Sequence, residues 1–344
     1  VLVRYPGNDP IIEYYLGYIE DQQGNQNNAK DHFSKAEKLS EAYCFPYRLE
    51  TIDVLNKALE YNPKDQKAYY YLGNILYDKQ PDKAIEYWEK AVEISPLAMA
   101  YRNLGWGYYR HNKDIGKAIP NYELAIDLDN SNAIFYTELD MLYELNNSPI
   151  ETRLKIFEGN QDAVYQRDDA FIRQITVLTL SGNADKSVEY LEGKQFSYRE
   201  GTSKVRETII DAHLKLGMKY FDEKSYEKSL EQFLMAQVPD EEAGSARFGN
   251  RNIQVDYFIG RAYDALKNKK KAKEHYNKAA SVDLSGKPGI MNYYQGMSYI
   301  ELKNKSKAME VFTALVEGGE KRINEKSADG EFFAIFGERD AEST

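Results

Sequence analysis

The sequence predicts an all-α chain built as a stack of helical hairpins, and three observations carry that prediction. The first is a recurring pattern. Gly17, Gly73, Gly105, Gly217, Gly260 and Gly296 are each followed, 11 to 13 positions on, by a small residue: Ala29, Ala84, Ala118, Ser229, Ala272 and Ala308. An aromatic stands four positions further (Phe33, Trp88, Tyr122, Phe233, Tyr276, Phe312). Three further on comes Ala36, Ala91, Ala125, Ala236, Ala279 or, in the last copy, Leu315. The second observation is helical periodicity around the glycines. Leu72, Leu104, Leu216 and Ile259 precede them, and Tyr108, Tyr220, Tyr263 and Tyr299 follow three later, on one helix face. The third is punctuation. Turn signals such as "DKQPDK" and "HNKDIGK" fall between the glycine and the triplet, and Pro63 and Pro96 end second helices.

Packing explains the spacing. Glycine inside a helix costs about 1 kcal/mol relative to alanine. The missing side chain lets a second helix cross closely. The aromatic of that helix fills the gap, and its two small neighbours set the approach.

Small, aromatic and proline positions in this order, over about 34 residues, resemble the tetratricopeptide repeat (TPR). The resemblance implies a right-handed TPR-type helical-hairpin solenoid of about eight or nine repeat units. Residues 253–286 fit without a gap, and residues 66–97, 98–132, 210–243 and 289–321 fit well. Residues 10–43 fit more loosely. In "NAIFYTELDMLYELNNSPIETRLKIFEGN" Asp140 stands where glycine is expected. "DDAFIRQITVLTLSGNADKSVEYLEGKQF" keeps only the turn glycine Gly182 and a helical period. "CFPYRLETIDVLNKALEYNP" supplies a second helix without a proper first one. The expected organisation is residues 1–200 as N-terminal repeats, 201–321 as C-terminal repeats and 322–344 as a tail, with looser joins at 197–204 and 238–252.

A narrower resemblance rests on "EAYCFPYRLE", "AYYYLGNILYDKQ", "YRNLGWGYY", "YTELDMLYE" and "RDD", in this order. They are similar to the C-terminal TPR region of large bacterial proteins that carry an N-terminal domain of unknown function. That resemblance implies a missing N-terminal domain and a carbohydrate-related setting. The start "VLVRYPGN", without Met, fits a piece of a longer protein.

Composition narrows the function classes. The 344 residues carry a formal net charge of −10, against a nucleic-acid partner, whose phosphates need a basic stripe. The basic run "KNKKKAKEHYNKA" reads as a solvated turn and helix face. Cys44 is the single cysteine, so no disulfide framework or cysteine-based zinc site is expected. No run has the roughly 18–20 apolar residues of a membrane span. A soluble chain is expected, cytoplasmic or periplasmic. His32, His111, His213 and His275 form no metal motif and read as surface or rim residues. Asp168 and Asp169 open a helix and read as its N-terminal acids, not an acid–base pair. No catalytic, cofactor or metal site is expected, and the chain reads as a non-enzyme.

Membership of the TPR family implies a concave groove lined by first helices. The family's groove positions, carried onto this chain, give Tyr70, Asn74, Tyr77, Arg102, Trp106 and Tyr109, with Asn103 and Glu138 beside them. Later repeats give Leu214, Met218, Phe221, Tyr257, Arg261, Asp264, Tyr293, Met297 and Ile300. Asn74, Arg102 and Asn103 suit a peptide backbone or carboxylate, and the rings suit an apolar side chain or a sugar face. The alternative is that the rings only pack. The basic and amide set of a two-carboxylate clamp is incomplete, against a chaperone-tail receptor. A scaffold for a protein or peptide partner is therefore expected. The alternatives are a C-terminal module of a carbohydrate-related protein, with its chemistry in the missing N-terminal domain, and a structural module holding that domain or a second copy.

If the register is right, Ala279→Leu overpacks a helix crossing. It should lower stability by about 1–3 kcal/mol in urea titration; an unchanged midpoint would contradict the repeat assignment.

Overall fold

The computed structural model describes residues 9–42, 44–196, 202–237, 251–282 and 289–324. The expected joins at 197–204 and 238–252 and the tail at 322–344 fall largely outside them. Every regular element among the described residues is a helix.

The chain forms two compact units, residues 1–174 and 175–344. In the first, α1 (Pro10–Gln22) pairs with α2 (Gln26–Lys38), and α3 (Thr51–Tyr61) packs singly against α1 and α4. Two full hairpins follow: α4 (Gln66–Leu76) with α5 (Pro81–Ile94), and α6 (Ala98–Arg110) with α7 (Ile115–Leu128). Next come α8 (Ala133–Leu145) and the short α9 (Ile150–Lys155) and α10 (Gln161–Tyr165). Helix α11 (Asp168–Leu180) contains the boundary. The second unit holds α12 (Ala184–Leu191) and three hairpins: α13 (Thr202–Asp222) with α14 (Tyr226–Met235), α15 (Arg251–Ala265) with α16 (Lys269–Ser281), and α17 (Ile290–Glu301) with α18 (Lys305–Asn324). The last three residues of α18 fall in the stretch expected as tail.

Local chemistry sets the ends. Asp9, Asp65, Asp114 and Asn268 accept backbone N–H groups at the starts of α1, α4, α7 and α16. Five of the six hairpin turns use a left-handed residue, and the α4–α5 turn does without one. Gly24 supplies it between α1 and α2, whereas Lys113, Lys224, Lys267 and Lys303 supply it in four later hairpins at φ of 55 to 63°. A side chain in that region is strained by about 1–2 kcal/mol.

The glycine crossings are as the spacing predicts. A Cβ on Gly17 or Gly260 would lie 2.6 Å from the ring of Phe33 or Tyr276, and one on Gly105 would lie 2.5 Å from Tyr122. Gly73, Gly217 and Gly296 face Trp88, Phe233 and Phe312 at least as tightly. The flanking Ala29, Ala36, Ala84, Ala91, Ala118, Ala125, Ala272 and Ala279 are all buried.

Hydrogen bonds at fixed register tie the hairpins. Four residues before the anchor glycine, a first-helix side chain meets the one just before the second-helix aromatic. The pairs are Glu13 with His32 Nδ1 at 2.7 Å, His213 Nδ1 with Gln232 at 2.9 Å and Asp256 with His275 Nδ1 at 2.7 Å. His213 and His275 are therefore buried struts, not the surface or rim residues that the sequence suggested. A second tie joins successive hairpins. Tyr108 donates to Glu89 and Tyr143 to Glu123, each at 2.5 Å, from three residues after an anchor position to the residue after the preceding aromatic.

Burial lowers the pKa of His213, against the hydrogen bond to Gln232, so the fold holds its ring neutral. The unfolded chain takes up the proton first as pH falls through about 6.5. His213 thus contributes stability above that pH, lost as pH drops toward its lower folded value. Urea midpoints of the native chain and His213→Gln should converge between about pH 7.5 and about pH 5.5; parallel lines would contradict the neutral strut.

The crossings make a further prediction. Gly260→Ala should destabilise by about 1–3 kcal/mol, since the Tyr276 ring cannot retreat from a packed core. Gly319, inside α18, has nothing within 4 Å of a built Cβ, so Gly319→Ala should stabilise by about 1 kcal/mol. Equal effects of the two in urea titration would contradict the crossing.

Candidate functional site

The first unit gathers the polar groove candidates into one connected network on α4, α6 and α8. Indole nitrogen is only a donor, and Trp88 Nε1 donates to Asn74 Oδ1 at 3.0 Å. Asn103 Nδ2 donates to the same oxygen at 2.8 Å. Arg102 Nη1 donates to Asn103 Oδ1 at 3.3 Å. Donor-only groups at both ends thus fix the orientation of both amides. Arg102 continues the chain, its Nε donating to Glu138 Oε2 at 2.7 Å and its Nη2 to Glu138 Oε1. Tyr122 donates its hydroxyl to Glu138 Oε2 at 2.9 Å.

Electrostatics follow from this wiring. Burial works against the Arg102 charge, but the hydrogen bonds and charge of Glu138 outweigh it and raise its pKa. Burial raises the Tyr122 phenol, and the Glu138 charge adds to that. The guanidinium fork expected to clamp a ligand carboxylate is filled by Glu138. Beside it, the Trp106 ring lies 5.8 Å from the Arg102 guanidinium carbon, 5.5 Å from that of Arg110 and 5.9 Å from the Tyr109 ring. Tyr77 stacks at a tilt on Trp88, 5.2 Å away. Asn74, Tyr77, Arg102, Asn103, Trp106 and Tyr109 are half-buried.

Three candidates sit deeper than the groove positions suggest, and one of them, Leu214, is a core residue of the second unit at 3% exposure. Tyr70 is 3% exposed, with its ring 5.2 Å from Tyr71. Tyr257, in the second unit, is 5% exposed among Phe258, Tyr276 and Tyr294. Their rings pack, for they alternate with core residues on helices that neighbouring hairpins cover. Glu138, named as a neighbour of the groove, is buried as the acceptor at the end of the network. Arg261, also in the second unit, lies over Phe221 at 4.5 Å.

Sequence reasoning missed Trp88 and Tyr122 as members of this site, because it read both as gap-filling rings. A heteroatom on the triplet aromatic was the available signal. Phe33, Phe233 and Phe312 carry none, and only Trp88, Tyr122 and Tyr276 do.

Residues 66–98, 257–285 and 292–317 match tetratricopeptide repeat family models. They coincide closely with hairpins α4–α5, α15–α16 and α17–α18. The chain carries tetratricopeptide repeats in these stretches, and each of its two units is built from helical hairpins. A curated relative, the BBSome complex member BBS4 homolog of Drosophila melanogaster, is 25% identical over 161 residues, which cover 40% of this chain. The match takes in 33% of that relative, so the chain spans about a third of its length.

Among solved structures, similarity extends to the C-terminal part of a TPR repeat-containing protein from Cytophaga hutchinsonii. The two share 14% identity over 80% of this chain and 96% of that one, with a TM-score of 0.47. Naa15/Naa10 bound to HypK-THB is 13% identical over 90% of this chain and 39% of that one, with a TM-score of 0.48. YrrB, a TPR protein described as having an unusual peptide-binding site, is 17% identical over 73% and 98%, with a TM-score of 0.33. Among the described residues no helix is long and apolar enough to cross a membrane.

Proposed function

We propose that the chain is a non-catalytic scaffold that holds a peptide segment of a partner protein against α4, α6 and α8 of its first unit. The observation that carries this reading is the half-buried Trp106, set between the guanidinium groups of Arg102 and Arg110 and next to Tyr109. A large, rigid ring is an anchor for an apolar side chain, and aromatic and Arg residues dominate interface energetics. Tyr77 continues the aromatic surface, and the Asn74 and Asn103 amides supply polar contacts to a main chain. In this reading Glu138 keeps Arg102 in place and cancels its charge, and Tyr70 supports the surface from below. Tyr257 and Arg261 are assigned to a corresponding face of the second unit. Arg102 and Glu138 are committed to each other, which suits binding rather than acid–base chemistry.

A phage-displayed peptide library selected on the immobilised chain tests the proposal. The native chain should enrich a common motif. Trp106→Ala should bind that motif about 30-fold more weakly, as loss of an anchor worth about 2 kcal/mol requires. Its melting temperature should stay within about 2 °C of the native value. Failure to enrich any motif, or equal binding by the variant, would sink the reading.

A further inference from the structure

The Gly73 crossing does more than admit a ring. The edge of Trp88 that faces Gly73 is its Nε1–Cδ1 edge, and a Cβ there would collide with both atoms. The glycine gap is therefore the window through which the indole N–H reaches Asn74, the next residue of α4, at 3.0 Å. Asn74 Oδ1 accepts twice, from Trp88 and from Asn103, which fills an amide oxygen's two lone pairs. The consequence for Asn74 is chemical: its oxygen points inward, and what remains for a ligand is its NH2 group. One hydrogen of that group lies toward the Tyr70 phenol, whose pKa burial raises and the Asn74 hydrogen bond lowers.

We propose that Trp88 is a positioning residue that holds Asn74 as a hydrogen-bond donor to an uncharged main-chain carbonyl of an extended peptide. This deepens the binding reading above and rests on it. The preference for a neutral acceptor comes from the next residues in the network. Arg102 is matched by Glu138 through two hydrogen bonds, so a ligand carboxylate arriving here gains one neutral amide donor against the loss of its own hydration. A peptide carbonyl loses far less. In an extended segment, residues two apart repeat about every 7 Å on the same side. Such a segment contacts Asn74 through one carbonyl while side chains rest on Tyr77 and Trp106. An internal segment of a protein fits this description, and a free C-terminus does not.

The same wiring supplies a clean substitution. Asn74→Asp keeps an oxygen for both Trp88 and Asn103 but has no N–H to give. Trp88→Phe keeps a ring in the gap but removes one of the two hydrogen bonds that hold Asn74 Oδ1. The test uses the full chain and an N-acetylated hexapeptide library made twice, once with C-terminal amides and once with free carboxylates. The amide library should bind the native chain at least as well as the free-acid library. Asn74→Asp should lose at least tenfold in affinity for the best amides with an unchanged melting temperature. Trp88→Phe should lose a similar factor, and Trp88→Tyr should not rescue it, because a phenol hydroxyl does not lie where the indole N–H does. In 15N-labelled protein the Trp88 indole N–H should exchange slowly in the native chain and in Asn74→Asp alike.

Unaltered peptide binding by Asn74→Asp overturns the donor assignment while leaving the binding reading intact. Binding of the free-acid library alone overturns the neutral carbonyl. Binding of neither library overturns the peptide reading itself, and this one with it. Should Trp88→Phe fail to fold, Asn74→Asp and the indole exchange decide the matter without it.

Discussion

Everything in this chain depends on one contact, an aromatic ring of a second helix lying against a bare glycine of the first. The contact fixes the distance between the two helices, because the ring has a set thickness and the glycine offers backbone alone. It fixes their rotation, because only one face of each helix carries the matching residues. Alanines on either side of the ring then pack without room for anything larger. Once distance and rotation are fixed, the residue one turn before the glycine meets the residue just before the ring, and the chain places hydrogen-bonding partners there. Glu13 with His32, His213 with Gln232 and Asp256 with His275 occupy equivalent places for that reason.

The same contact links packing to the candidate site. Phe33 and Phe233 end in the core, buried. Where the ring carries a heteroatom, as Trp88 and Tyr122 do, the polar edge emerges among first-helix side chains and must be satisfied. Asn74 satisfies Trp88, and Glu138 satisfies Tyr122 and holds Arg102 as well. The polar character of the α4–α6–α8 face is thus set partly from beneath. A core position chosen for its volume also determines which hydrogen bonds the surface above it has left to offer.

Much of the fold was legible in the sequence because the crossing uses distinctive residues. Glycine inside a helical period, followed at a regular distance by a small–aromatic–small triplet, suits a close crossing of two helices and little else. The hydrogen-bonded ties were not legible. Their spacing of 19 residues spans a turn, and their chemistry varies from carboxylate–imidazole to imidazole–amide, so no single residue type repeats. The groove candidates were legible as positions but not as states. Helical spacing puts Tyr70 and Tyr257 on the groove side, yet neighbouring helices cover them to 3% and 5% exposure. Arg102 reads as a free clamp until Glu138, 36 residues away, is seen to fill its fork.

Asp140 shows what the constraint demands once its usual residues are gone. It stands where the other repeats have glycine, and it is fully buried. No aromatic ring could lie against a carboxylate at that depth. Arg153 of α9 pairs with it, its Nε 2.8 Å from Asp140 Oδ1 and its Nη2 3.0 Å from Oδ2. Arg173 adds a third hydrogen bond at 2.8 Å. Two guanidinium cations offset the desolvation of the one carboxylate. Such a pair adds little net stability over glycine and a ring, but losing one partner strands a buried charge at a cost of about 3–5 kcal/mol. What the fold preserves is a satisfied crossing, and glycine with an aromatic is its commonest solution, not its only one.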